Sequence, residues 1–359
     1  MKRTKKTTVE KKETKLSTQI LDKMKNNNKV IPPKSEYEGN SERITSTGST
    51  LLDLAISGGR FREGGIPAGI LVEIFGPSGS GKTVLLCQIA GNLQKKGGNI
   101  MFHDPEARLN KQFARMFHLD TDAIDYTTPD TVPEVFKAVR KWEPDHPKQV
   151  NGIFADSLAA LSTDLEMDKE EGDKMGMRRA KEFSEETRKT CRIITKKDYL
   201  MVCSNQIRQN SNAGPYEPKY RTPGGEAIAF YSSLRLRCKS PQKIKEEKSI
   251  GKKKHTRVIG VATEIDVFKS SVWKPHNTAL VYIIFDYGVD DIRANLKYLK
   301  TNTSDSIYQL NGKKLGKSIN HAIKIVERDH LESELKEAVI DLWNDIESRF
   351  KSDRKPRIL

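Results

Sequence analysis

Gly76-Pro77-Ser78-Gly79-Ser80-Gly81-Lys82-Thr83 is a run whose residue types and spacing can bind phosphate. It fits G-x-x-x-x-G-K-[ST], in which glycines let the backbone curl so that its N–H groups point inward. Lys82 would reach the β- and γ-phosphates of a nucleotide, and the Thr83 hydroxyl would ligate Mg²⁺. The flanks suit the motif. Ile70–Phe75 is an apolar run of strand length, and Val84–Ala90 reads as a helix whose amino terminus adds a positive dipole end. A glycine-rich surface turn would not explain Lys-Thr at a helix start.

Two acids sit where such a site would use them. Asn99–His103 reads as the next strand and delivers Asp104-Pro105-Glu106 to a strand's carboxyl end, where α/β sheets place their chemistry. Gly152–Asp156 is an apolar strand ending in an acid, followed by Ser157, and an aspartate there can hold a Mg²⁺ shell through water. Tyr199–Ser204 reads as a fourth strand and ends in Asn205-Gln206-Ile207-Arg208. Leu165–Lys174 is charged, contains Gly172 and reads as a mobile loop. Gln209–Pro223 has no pattern, and a loop of that length is functional or disordered. Gly224-Gly225 closes it. Between the two loops runs a predicted long helix, Met175–Lys197, bearing Arg178 and Arg179.

Strands alternating with helices predict an α/β fold, a mostly parallel sheet with helices on both faces. Val258–Phe268 and Thr278–Phe285 read as strands that complete an antiparallel end. Residues 239–257, rich in lysine, read as a basic hairpin tip or solvated loop. The expected division is a basic arm (1–45), a core (46–290) and a small α-rich C-terminal domain with a basic tail (291–359). In the arm, Leu16, Ile20, Leu21 and Met24 share one helical face, which could dock on its own domain or on a neighbouring subunit.

The 359 residues carry a net charge of +15, which favours a polyanionic partner such as nucleic acid without excluding an acidic membrane surface. No apolar run is long enough to span a membrane, and the lysine-rich start lacks the apolar core of a secretory signal. Cys87, Cys191, Cys203 and Cys238 show no metal-binding spacing and read as reduced thiols of a cytosolic protein.

The order of these segments resembles the RecA/UvsX-type recombinases, bacterial and phage. The matching residues are Ser46-Thr47-Gly48-Ser49, Gly76 to Thr83, Phe102-x-Asp104-x-Glu106, Ala155-Asp156-Ser157, Met175-Gly176, Asn205 to Arg208, Thr222-x-Gly224-Gly225 and Phe230 to Arg235. They span residues 46 to 288, and a generic P-loop ATPase would share only the P-loop and Asp156. The basic C-terminal tail looks more phage-like than bacterial, because the bacterial family tends to end in an acidic one.

The resemblance implies a RecA-like ATPase core that binds ATP and Mg²⁺, with Thr83 and Asp156 at the metal. It implies Glu106 as the carboxylate that orients or deprotonates the attacking water, and Gln206 as γ-phosphate sensor. Phe113 falls where the family stacks an aromatic on adenine, and equally suits a core position. The loops at 165–174 and 209–223 correspond to the family's DNA-binding loops, with Arg178, Arg179, Arg208 and Arg221 as phosphate contacts and Gly224-Gly225 allowing close backbone approach. Lys269 matches one of the basic residues that reach a neighbour's ATP. The second is replaced here, and Lys274 is the nearest substitute.

The resemblance thus implies a DNA-dependent ATPase of the cytoplasm (the host's, for a phage-encoded copy). It would form helical homo-oligomeric filaments on single-stranded DNA, engage double-stranded DNA in strand exchange, and work with a single-strand-binding protein and a loading mediator. The arm helix would then dock on the neighbouring subunit. The alternatives are a hexameric helicase on the same core and a non-catalytic ATP-binding scaffold.

Overall fold

The computed structural model describes residues 43–162, 175–209, 220–221, 227–303, 305–352 and 354, with side chains for all but 175–180, 208–209 and 220–221. All of these belong to one compact unit, 39–359. The expected arm helix, the segment 165–174, residues 210–219 and Gly224-Gly225 lie outside the described residues.

In chain order the strands are β1 (Ile44–Thr45), β2 (Ile66–Pro67), β3 (Ile70–Gly76), β4 (Ile100–His103), β5 (Asp125–Thr127), β6 (Gly152–Ala155), β7 (Leu200–Gln206), β8 (Arg208–Gln209), β9 (Tyr220–Arg221), β10 (Leu234–Cys238), β11 (Gln242–Ile250), β12 (Lys253–Ser270), β13 (Thr278–Ile284), β14 (Gly288–Val289), β15 (Tyr308–Leu310) and β16 (Lys313–Gly316). The helices are α1 (Thr50–Ser57), α2 (Lys82–Lys95), α3 (Lys111–Met116), α4 (Val132–Lys141), α5 (Met175–Lys197), α6 (Ala227–Tyr231), α7 (Asp291–Asn302), α8 (Ile319–Arg328) and α9 (Glu332–Arg349).

The main sheet runs β14-β13-β12-β10-β3-β7-β6-β4-β5. From β10 to β5 all pairs are parallel, and β12, β13 and β14 add an antiparallel edge. Buried parallel strands are apolar on both faces, and β7 shows the division. Leu200 and Val202 join the cluster under α2, with Leu85, Leu86 and Ile89. Met201 and Cys203 join the opposite cluster, with Val135 and Phe136 of α4 and Phe183 and Ile194 of α5.

Of the two readings open for 239–257, hairpin tip or solvated loop, the hairpin holds, and the reading of the C-terminal segment is extended. The stretch 239–257 is strand for most of its length: β11 pairs antiparallel with β12 from Gln242 opposite Ala262 to Ile250 opposite Lys253. β11 and the first residues of β12, up to Arg257, are mostly polar and exposed, so no alternation marked them. The C-terminal segment is α-rich but also carries the β15–β16 hairpin. Its turn is Asn311-Gly312, both at positive φ (46° and 81°), the combination a tight hairpin turn requires. Leu315, Val326, Val339 and Trp343 form a separate hydrophobic cluster, which also takes in Leu54 of α1.

The Ser46–Ser49 segment is held by one buried acid. Asp53 accepts from the Ser46 hydroxyl at 2.5 Å and from the Thr47 amide and hydroxyl, each at 2.7 Å. The Ser49 hydroxyl caps α1. Burial pushes the Asp53 carboxyl from 3.8 up to about 7; the hydrogen bonds oppose the shift and nearby Asp291 adds to it. The folded state therefore binds a proton more tightly than the unfolded chain, so this group's contribution weakens as pH rises from about 4 to 7 and is level above. Unfolding free energies of wild type minus Asp53→Asn, from urea titrations, should fall by up to about 4 kcal/mol across that window. A difference that is flat or rises between those limits would show that Asp53 is not protonated on folding.

Candidate nucleotide site

The turn between β3 and α2 is built for an anion. Gly79 and Gly81 adopt positive φ (71° and 88°). A side chain at Gly81 would meet Ile283 Cδ1 at 2.3 Å. Gly81 is also the N-cap of α2 and offers no side chain to the helix, so the first turn's N–H groups have no side-chain cap. They open onto a cavity of about 460 Å³, within the size range of small-molecule sites.

Ser78 to Thr83 line this cavity, as do Asp104, Glu106, Phe113, Asp156, Ser157 and Gln206. Gly76 and Pro77 stand behind the rim. Their carbonyls accept from Lys82 Nζ at 3.1 and 2.8 Å. Burial lowers the pKa of Lys82, and Cys238 and Asp156 oppose the shift. A phosphate would replace two neutral acceptors with a charged one, which makes the stronger hydrogen bond.

Next to it the hydroxyl of Thr83 donates to Asp156 Oδ2 at 2.5 Å, and that of Ser204 donates to Asp156 Oδ1. The buried Ser157 hydroxyl has no hydrogen-bond partner. Among the described residues no three His, Cys, Asp or Glu side chains gather as a metal cage. That donor set suits Mg²⁺, which keeps waters and substrate oxygens and takes only one or two protein carboxylates. The residues present fit Mg²⁺ with a nucleotide: a hydroxyl, a carboxylate, a free hydroxyl nearby and an uncapped helix end.

Glu106 and Asp104 divide their tasks. Asp104 is buried and accepts from the Leu109 amide at 2.7 Å and the Tyr126 hydroxyl at 2.9 Å, so it fixes the turn that presents Glu106. Burial and the adjacent Asp104 raise the Tyr126 hydroxyl to about 12. Glu106 pairs with the exposed guanidinium of Arg108 at 2.6 Å. At the other end of the cavity Phe113 meets Phe117 edge to face, with ring centroids 4.8 Å apart. Gln206 is exposed, ends β7 and lies in register with Gly76.

The remaining candidates lie elsewhere. Lys269 on β12 donates to the carbonyls of Ala229 and Phe230 at 3.0 and 2.7 Å and does not line this chain's cavity. Lys274 lies over the ring of Trp273. Arg208 and Arg221 are partners in the β8–β9 ladder, and Arg178 and Arg179 fall in the first turns of α5, their side chains outside those described.

Ser204 and the cavity wall from β13 to Gly288, including Phe285, were not read from the sequence. Ser204 carried a signal, a hydroxyl at the carboxyl end of an apolar strand. Phe285 carried none, because only the tertiary fold brings it to the P-loop.

An α/β core with this loop and carboxylate pair defines a P-loop nucleotide-binding protein. A sequence model of the RecA N-terminal domain matches residues 12–290. Proteins named Protein RecA are similar over most of this chain. That of Delftia acidovorans is 31% identical over 83% of this chain and 78% of its own length. The plasmid-borne Protein RecA of Lactococcus lactis is 31% identical over 84% of both. The Wolbachia protein is 33% identical over 76% of this chain and 73% of its own. The chain belongs to the RecA family and is a RecA-type recombinase of DNA recombination and repair. Proteins of this family are DNA-dependent ATPases that bind ATP with Mg²⁺.

Replacing Ser204 by Ala removes one of the two hydroxyls that orient Asp156. The Mg²⁺ concentration for half-maximal nucleotide binding should rise about tenfold, the cost typical of losing an outer partner of a metal ligand. A fluorescent ATP analogue titrated with Mg²⁺ reads this directly, and an unchanged midpoint would remove Ser204 from the site.

Proposed function

We propose that this chain hydrolyses ATP in response to DNA and, with ATP bound, assembles as a helical filament on single-stranded DNA that pairs and exchanges homologous strands. The observation that carries the reading is the meeting of Lys82, Thr83, Asp156, Glu106 and Gln206 around one cavity beneath an uncapped helix. Lys82 and the loop amides hold the phosphates. Thr83 and Asp156 would hold Mg²⁺, which would neutralise charge on the phosphate oxygens. Glu106 accepts the proton of the attacking water once its pairing with Arg108 is released. Gln206, at the end of the strand beside the P-loop, contacts the terminal phosphate.

Phe113 closes the base end of the cavity, a role its placement supports. Lys269 does not line its own chain's cavity, and on leaving the two α6 carbonyls it acts on a neighbour's. Arg178, Arg179, Arg208, Arg221 and Gly224-Gly225 make backbone contacts to DNA, which are sequence-tolerant and salt-sensitive. The residues 1–45 act as an assembly arm, 46–290 as the ATPase core and 291–359 as a small C-terminal domain with a basic tail. A single-strand-binding protein and a loading mediator are the expected accessory partners. No described helix is long and apolar enough to cross a membrane, and we place the protein in the cytoplasm.

Glu106→Gln keeps the shape of the side chain and removes its basicity. Hydrolysis stimulated by single-stranded DNA should fall at least about a hundredfold, while ATP-dependent DNA binding, followed by fluorescence anisotropy, persists. Electron microscopy of wild type with ATP and single-stranded DNA should show helical filaments. Closed rings with unwinding of a tailed duplex would instead establish the helicase.

A further inference from the structure

A buried charge cluster lies behind the nucleotide site, on the other face of the same two strands. β3 and β7 run in register, Phe75 opposite Asn205 and Gly76 opposite Gln206. Successive side chains of a strand point to opposite faces. Ser204 and Gln206 take the cavity face, which both line. Asn205 takes the other, where its amide donates to Glu73 Oε1 at 3.0 Å.

Glu73 is fully buried, and Arg235 Nε donates to its second oxygen at 2.6 Å. The Arg235 guanidinium lies over the Phe75 ring at 4.5 Å and the Phe268 ring at 5.3 Å. Beside Arg235 in the β10–β12 ladder is Lys269, whose ammonium holds two carbonyls of α6. Burial and Arg235 lower the Lys269 pKa, and Glu73 acts against them, so the three charges sense one another. Polar contacts thus run from the residue beside Gln206 to Arg235, and the β10–β12 ladder sets Arg235 beside the lysine that holds α6.

None of Glu73, Asn205 or Arg235 lines the cavity. A buried ion pair is also a poor means of stabilising a fold, because apolar residues of similar size serve as well. What it supplies is geometry. A planar guanidinium fixed by a carboxylate and two rings has little freedom, so a displacement of Asn205 is passed on rather than absorbed.

We propose that Asn205, Glu73 and Arg235 are positioning residues that couple nucleotide occupancy at the end of β7 to α6 and Lys269. This coupling rests on the reading that the cavity holds ATP and that hydrolysis answers to DNA. A phosphate that draws in Gln206 moves Asn205 with it, and the Glu73–Arg235 pair carries the shift across β3 and β10 to β12.

The test is the double variant Glu73→Gln/Arg235→Met, which replaces the pair with neutral groups of similar size. Two quantities are read: affinity for a fluorescent ATP analogue without DNA, and stimulation of hydrolysis by single-stranded DNA. Affinity should stay within about twofold of wild type while stimulation drops about tenfold, the scale of a typical coupling between sites. Arg235→Lys, which keeps charge but not the planar fork, should fall between. Asn205→Ala, which leaves the ion pair intact, should show the same split, and it decides the matter if the double variant fails to melt cooperatively. Wild-type stimulation in these variants overturns the coupling, as does a proportional loss of affinity and stimulation. A wild-type protein that DNA does not stimulate at all would instead refute the functional reading beneath it.

Discussion

The amino terminus of α2 must find partners for N–H groups that neither its own helix nor its cap residue supplies. Much of the neighbouring structure follows from leaving that end open. β3 stops at Gly76, and the turn needs left-handed backbone at Gly79 and Gly81. Lys82 is folded back onto the turn's own carbonyls, so the positive charge stays beside the helix end without a counter-ion. The nearest carboxylate, Asp156, is spoken for by the hydroxyls of Thr83 and Ser204 and makes no ion pair with Lys82. A direct Lys82–Asp156 pair would neutralise the site. Instead the Thr83 and Ser204 hydroxyls occupy the two Asp156 oxygens.

The parts of this site written in contiguous residues were legible in the sequence. A glycine-rich turn between an apolar strand and a helix is a local pattern, and so is an acid at the end of a buried strand. Asp156 carried that local signal, whereas the roles of Glu106 and Gln206 came from the family resemblance; the parallel sheet brings the three strand ends together around the P-loop strand. What could not be read is what arrives from far along the chain. Phe285 and Ile283 reach the cavity because β13 pairs with β12, which pairs with β10 beside β3.

Two other features had local signals that went unused. Asn311-Gly312 is a strong hairpin turn between short strands. Glu73, a lone acid in an otherwise apolar strand, has no meaning until Asn205 and Arg235 are seen against its two oxygens. The β11–β12 hairpin is the converse case. Its lysines were visible, but a strand solvated on both faces has no pattern to distinguish it from a loop.

Alternation along β7 gives one strand two jobs. Ser204 and Gln206 face the phosphate side, and Asn205 between them belongs to the buried ion pair on the other. The ladder to β6 ends at Cys203, and at Ser204 to Gln206 the strand is held by its ladder to β3, so a shift of one face carries the other. The proposed coupling thus joins two faces of one strand, not two ends of a chain of loops. The carboxylate proposed for hydrolysis is arranged the same way. Glu106 rests in a pair with an exposed guanidinium, an interaction water and salt weaken, so little holds it from turning toward a bound phosphate. The turn beneath it, fixed by Asp104 to Leu109 and Tyr126, does not need to move.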